Sequence, residues 1–143
     1  MVRQVEHEDE GIRIEVYPGQ RLLRSTWKDA VSSQGYRGSL LRVHSIVERL
    51  ALQHWLSDGR KMGPILPDDE AWTMEEFLPK LIGAGLERIA IVSSEDALNR
   101  TAVDRMVNAS APVVPYTIAY FQDPSIAQLW LMDKASATTV PRG

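Results

Sequence analysis

Catalysis needs a nucleophile, a base and an orienting partner within hydrogen-bond reach, so the histidines, serines and carboxylates of the chain come first. There are three histidines in 143 residues. The apolar period places His44 and His54 on one helix, ten residues and roughly 15 Å apart along its axis, too far to share a metal. His7 falls in an acidic N-terminal stretch. Ser57, His54 and Asp58 could be nominated as a triad, but neighbouring strand residues point to opposite faces, and no G-x-S-x-G nucleophile elbow supports them. Asp58, Asp68 and Asp69 offer oxygens to a hard cation, yet their spacing fits no metal loop. Neither a dinucleotide fingerprint nor a P-loop is present. The chain has no cysteine, which removes disulfides and thiolate metal sites. These observations lead to the expectation of a non-enzymatic protein with no cofactor and no metal.

Two groups of residues could bind rather than react. The first is the loop and helix start from Asp58 to Trp72, with Asp58, Arg60, Lys61, Asp68, Asp69 and Trp72 as candidates for a partner-binding edge. Tryptophan and arginine are favoured interface anchors. The competing reading of the same residues is a capped helix with Trp72 in the core. The second group is Trp27, Tyr116, Ile118, Tyr120 and Trp130, which could line a cleft for a small apolar ligand between sheet and helices. Their competing reading is simple core.

Periodicity supplies the elements that would position these groups. Ile12, Ile14 and Val16 alternate with Arg13 and Glu15, Pro18-Gly19 marks a turn, and extended character resumes to Trp27. This predicts a β-hairpin. Leu40, Val43, Val47, Leu50 and Ala51 trace one helical face between Gly38 and Trp55. A short strand through Ser57-Asp58 leads to a proline-bearing loop and then to a helix opened by Asp68-Asp69-Glu70 and kinked or split by Pro79. Ile89 to Val92 is an apolar run suited to burial on both faces. Ser93 and Asp96 stand at capping-box spacing before a helix carrying Leu98, Ala102, Val103, Met106 and Val107. Tyr116 to Phe121 alternates as a fifth strand, and Asp123-Pro124 opens a last helix.

Strands alternating with helices imply a mostly parallel five-stranded sheet, led by the hairpin and carrying about four helices. The expected organisation is an acidic arm at 1–10, a single α/β domain at 11–133 and a flexible tail at 134–143. The 16 Lys and Arg against 19 Asp and Glu give a net charge of −3, and the basic residues are scattered. Both facts argue against a nucleic-acid partner. No apolar run approaches a membrane span or a secretory leader, so a cytoplasmic protein is expected.

Several landmarks together resemble the STAS/SpoIIAA-like family. They are Trp27 closing the second strand, Leu56-Ser57-Asp58 closing the third and Asp69-Glu70-Ala71-Trp72 opening a helix after the proline-bearing loop. Leu86 to Val92 and Ala127-Gln128-Leu129-Trp130-Leu131 follow at fitting distances. The resemblance covers roughly Gly11 to Asp133. It implies a mixed sheet flanked by helices and a regulatory or protein-interaction role, with a partner protein or a second copy of the chain as the binding partner. In the anti-sigma-factor antagonists of that family a serine after the third strand is phosphorylated; here the corresponding stretch is Pro67-Asp68-Asp69-Glu70, with no hydroxyl before Thr73. The likeness of STAS-like to CRAL-TRIO domains supports the alternative of a carrier for a small apolar ligand or lipid.

Overall fold

The expected hairpin forms from Ile12–Tyr17 (β2) and Leu22–Trp27 (β3), paired antiparallel with Ile14 opposite Ser25. A 3-10 turn at Pro18–Gln20 joins them, and Arg21 completes the reversal in the left-handed region at φ 51°. The computed structural model describes residues 2–133, so the predicted tail at 134–143 lies outside the described residues. The sheet has six strands, not five. The additional one is Gln4–Glu8 (β1), which the sequence reading assigns to an acidic arm; it pairs antiparallel with β2. Asp9 makes this possible, because its carboxylate accepts the amides of Gly11 and Ile12 at 2.8 and 3.0 Å and folds the chain back. The acids of β1 are then held by ion pairs, Glu6 to Arg49 at 2.8 Å and Glu8 to Lys28 at 2.9 Å.

From β3 onward the pairing is parallel, through His54–Asp58 (β4), Arg88–Val92 (β5) and Thr117–Phe121 (β6). Strand order follows chain order from β1 to β6. With crossovers of the usual right hand, an unreversed order sends every connecting helix to one face of the sheet. Ser33–Leu50 (α1) crosses from β3 to β4, the helical run from 67 to 82 from β4 to β5, and Ala97–Ser110 (α4) from β5 to β6. Tyr36, Leu40, Val43, Ile46 and Val47 of α1 pack on Ile12, Ile14, Val16, Leu23 and Trp55 beneath them. Fully burying each of these aliphatic side chains contributes ~1.5–3 kcal/mol. Among the described residues the other face is covered by the helix Pro124–Met132 (α5), whose Ala127, Trp130 and Leu131 meet Leu22, Leu56, Ala90 and Ala119.

The first crossover helix begins and ends earlier than its apolar period suggests. Ser32 caps it by accepting the Gly35 amide, and Ala51 ends it at φ 51°, its N–H turned back to Glu48 and Val47. His54 is therefore a strand residue and not the helical neighbour of His44. The second crossover has three parts: Pro67–Trp72 (α2), a π turn at Thr73–Phe77 and Leu78–Ile82 (α3). Pro79 explains the π turn. A proline clashes with the carbonyl four residues back, here Glu75, and widening the turn relieves that contact. The Leu78 amide accordingly donates to the Thr73 carbonyl five residues earlier. In the third crossover Asp96 is the cap, accepting the Asn99 amide, while Ser94 donates to Met62 O; Ser93 takes no part in the expected capping box.

His54 sits against the sheet face covered by α5 and is 8 % exposed, with Nδ1 unpaired among the described residues. Burial, and secondarily the charge of Arg88, hold its pKa below the ordinary 6.5. The unfolded chain then binds a proton that the folded chain refuses, so stability present above pH ~6.5 is lost as the pH falls through that value. Between pH 7.5 and 5.5 the wild type should lose more unfolding free energy than His54→Leu. The excess is at most about 1.4 kcal/mol per pH unit. Denaturant melts at both pH values measure it, and equal losses would show that His54 carries no proton linkage.

Candidate functional site

The predicted partner-binding edge is not assembled as a surface. Asp58 is 1 % exposed and lies on the α5 side of the sheet, where its carboxylate accepts the Arg60 backbone amide at 3.3 Å and the Arg60 guanidinium at 3.0 and 2.9 Å. Arg24 approaches to 3.7 Å from β3. The carboxylate in turn raises the Arg60 pKa. Asp69 is 3 % exposed and lies on the opposite side, below α1, where it accepts Ser33 Oγ and Arg37 Nε. The first turn of α2 contains Asp68, Asp69 and Glu70 but no side-chain cap. Asp69 is spent on holding α2 to α1, and Glu70 reaches Arg105 of α4 at 2.7 Å. Trp72 is half-buried, stacked on Phe77 and under the Arg37 guanidinium at 5.4 Å. Arg60, Lys61 and Asp68 are the exposed members. The two buried carboxylates thus face opposite sides of the sheet, each answered by an arginine.

The apolar group fares differently. Trp27, Tyr116 and Ile118 line one cavity of about 150 Å³ between the sheet and its three crossover helices. Tyr120 shares their side of β6, but its hydroxyl donates to Asp104 on α4 at 3.3 Å, away from the lining. Trp130 belongs to the other side of the sheet altogether, packed on Phe121 with Arg88 over its ring, so it does not join the cleft. The reason is topological: α5 follows β6 and makes no crossover, so among the described residues it is the helix on the far face.

Each wall of the cavity has a local cause. The floor is Trp55 and Ser57 of β4, Ile89 and Ile91 of β5 and Ile118 of β6, all pointing to the crossover side by strand alternation. Ile91 lies on an inner strand under helices and is nonetheless only half-buried, as are Val103, Met106 and Val107 of α4 above it. In a close-packed layer such residues would be covered. The π turn contributes Thr73, Met74 and Phe77, and the loop after β4 contributes Met62 and Ile65. That loop approaches closely because residue 63 is glycine, where a Cβ would stand 2.9 Å from Ala30 Cβ. Ser94, in the loop before α4, and Asn99 of α4 fix it by donating to the Met62 and Gly63 carbonyls.

Polar groups in the lining are sparse and mostly occupied. The Tyr36 hydroxyl pairs with Thr73 Oγ1 at 2.7 Å, Thr73 Oγ1 donates to Asp69 O, and Ser110 Oγ donates to Val107 O. Trp55 Nε1 donates to Ser25 Oγ at 2.9 Å. Burial pushes the phenols of Tyr36 and Tyr116 up to about 12, so both are neutral donors at any working pH. Ser57, nominated from sequence only as a nucleophile, is a lining residue; His54 and Asp58 lie on the other side of their strand, so no triad forms. Among the described residues no three metal-binding side chains gather, and no helix is long and apolar enough to cross a membrane.

No family model, curated protein or solved structure matches the chain.

The junction of α1 and α2 closes one wall of the cavity and is open to test. Arg37→Met removes the guanidinium from the buried Asp69 carboxylate, leaving it the Ser33 hydroxyl. Uncompensated burial of that charge should cost about 2–4 kcal/mol of stability. Asp69→Asn in the Arg37→Met background should recover part of the loss. Chemical denaturation measures both, and a single variant as stable as wild type would mean that the pair does not brace the helices.

Proposed function

We propose that the protein binds a small apolar molecule in the cavity between the sheet and its crossover helices, acting as a carrier or sensor and not as a catalyst. The observation that carries this is the cavity itself: about 150 Å³, faced by aromatic, aliphatic and methionine side chains, in a layer whose flanking residues are otherwise well buried. An apolar space of this volume accommodates a benzene-sized guest. Methionines at three walls, Met62, Met74 and Met106, suit a site that adapts to its guest. A STAS-like frame is part of the same proposal, supported by the hairpin followed by alternating strands and helices. The reading as a protein-interaction edge at Asp58–Trp72 has less support, because Asp58 and Asp69 are buried and paired within the chain.

Benzene is the simplest probe. At ten times its dissociation constant it should stabilise the wild type by about 1.4 kcal/mol, read as a rise in the thermal midpoint. Ile118→Phe places a ring inside the cavity and should abolish the rise while keeping the native circular dichroism spectrum. A wild type indifferent to saturating benzene would sink the proposal.

A further inference from the structure

We infer that the molecule this cavity takes is uncharged, about the size of a single ring, and carries one hydrogen-bond-accepting oxygen that meets Trp27 and Ser57. The inference rests on the cavity being the working site.

Three observations lead to it. First, the lining contains no Asp, Glu, Lys, Arg or His, so an ionised group would lose its water and gain no counter-charge. Second, the volume of about 150 Å³ matches a six-membered ring with a short substituent and is too small to enclose a long acyl chain. Third, the cavity's polar atoms divide into two sets. Those of Tyr36, Thr73, Ser110 and Trp55 are paired within the protein. Trp27 Nε1, Ser57 Oγ and the Tyr116 hydroxyl take no hydrogen bond among the described residues, and each atom keeps some exposure to solvent that a guest could take over.

The register sorts these three further. Ser57 lies beside Ser25, two residues before Trp27 on the neighbouring strand, so the two are diagonal neighbours at the carboxyl end of the parallel strands. Side chains in that relation reach one another across roughly 7–8 Å. Ser57 also aligns through Ile91 with Tyr120, four residues beyond Tyr116. Tyr116 therefore stands roughly 13 Å away along the strand direction, at the other end of the sheet. An indole N–H donates only, and a serine hydroxyl can donate alongside it. Together they suit a carbonyl oxygen, as in a ketone, ester or quinone, and Tyr116 takes no part in holding it.

Acetophenone, benzoate and ethylbenzene form a matched series: a neutral acceptor, an ionised acceptor and no acceptor. Titrated into the full chain at pH 7, acetophenone should bind at least tenfold more tightly than benzoate. It should also shift the Trp27 indole N–H resonance, assigned by its loss in Trp27→Phe. Ser57→Ala should weaken acetophenone by about fivefold, the worth of one neutral hydrogen bond, and leave ethylbenzene unchanged. Benzoate binding as tightly as acetophenone would overturn the inference. So would ethylbenzene binding as well as acetophenone, with no response to Ser57→Ala or Trp27→Phe; that result would leave the apolar cavity standing as the site. If none of the three binds, the inference and the cavity reading fall together.

Discussion

The constraint on which everything else depends is the unreversed strand order. A parallel sheet that never changes direction of growth must send each right-handed crossover to the same side. Three helical crossovers then share one face, while a single terminal helix covers part of the other. The crowded face must accommodate helices of different length and direction over a twisted floor. Filling that space completely would require each helix to be shaped to its neighbours. The second crossover, broken into α, π and α segments, and the third, which fully buries only Asn99, Ala102 and Ser110, leave a gap between them. The cavity is a property of the layer and not of any one loop.

A chain of ring contacts holds the layer open without letting it collapse. Trp27 stacks on Tyr36, Tyr36 meets Trp72 edge-on, Trp72 stacks on Phe77, and Phe77 meets Trp55, with centroids 6.1 to 6.4 Å apart. Rigid rings are poor at filling a void by rotamer change, which favours a persistent space. Polar ties finish the frame: Asp69 to Ser33 and Arg37, Thr73 to Tyr36, Glu70 to Arg105. They join α2 to both neighbouring helices. Of the charges between Asp58 and Trp72, Asp69 and Glu70 brace the helical layer over the cavity.

Much of this was legible in the sequence because the hydrophobic period changes cleanly from two to three-to-four and back. The hairpin, the alternation of strands and helices, and the Asp123-Pro124 helix start all follow from such local signals. β1 was hidden because Val5 is its only apolar residue; its pairing depends on the Asp9 turn and on salt links to distant residues. The end of α1 was hidden because Ala51, not glycine, takes the left-handed conformation. That shift of frame moved His54 from helix to strand. Of the cleft residues, Trp27, Tyr116 and Ile118 could be found from alternation, since it fixes which side of a strand they face. Trp130 could not, because the side taken by α5 is decided by the topology of the whole sheet. The burial of Asp69 was equally hidden, since its arginine lies 32 residues earlier. A cavity is a difference between volumes and has no residue of its own to announce it.

The π turn at Thr73–Phe77 carries a consequence for how this layer could change over generations. It amounts to one surplus residue wound into a helix that would otherwise be continuous. Losing that residue would restore an ordinary helix with the segments on either side of it kept in phase, so Phe77 and Leu81 would hold their places on the floor. Pro79 would then again face the carbonyl four residues back, and the bulge that carries Thr73 and Met74 to the cavity wall would be redrawn. A change of length at this turn, paired with loss of the proline, is thus an economical route by which the same frame could reshape its cavity.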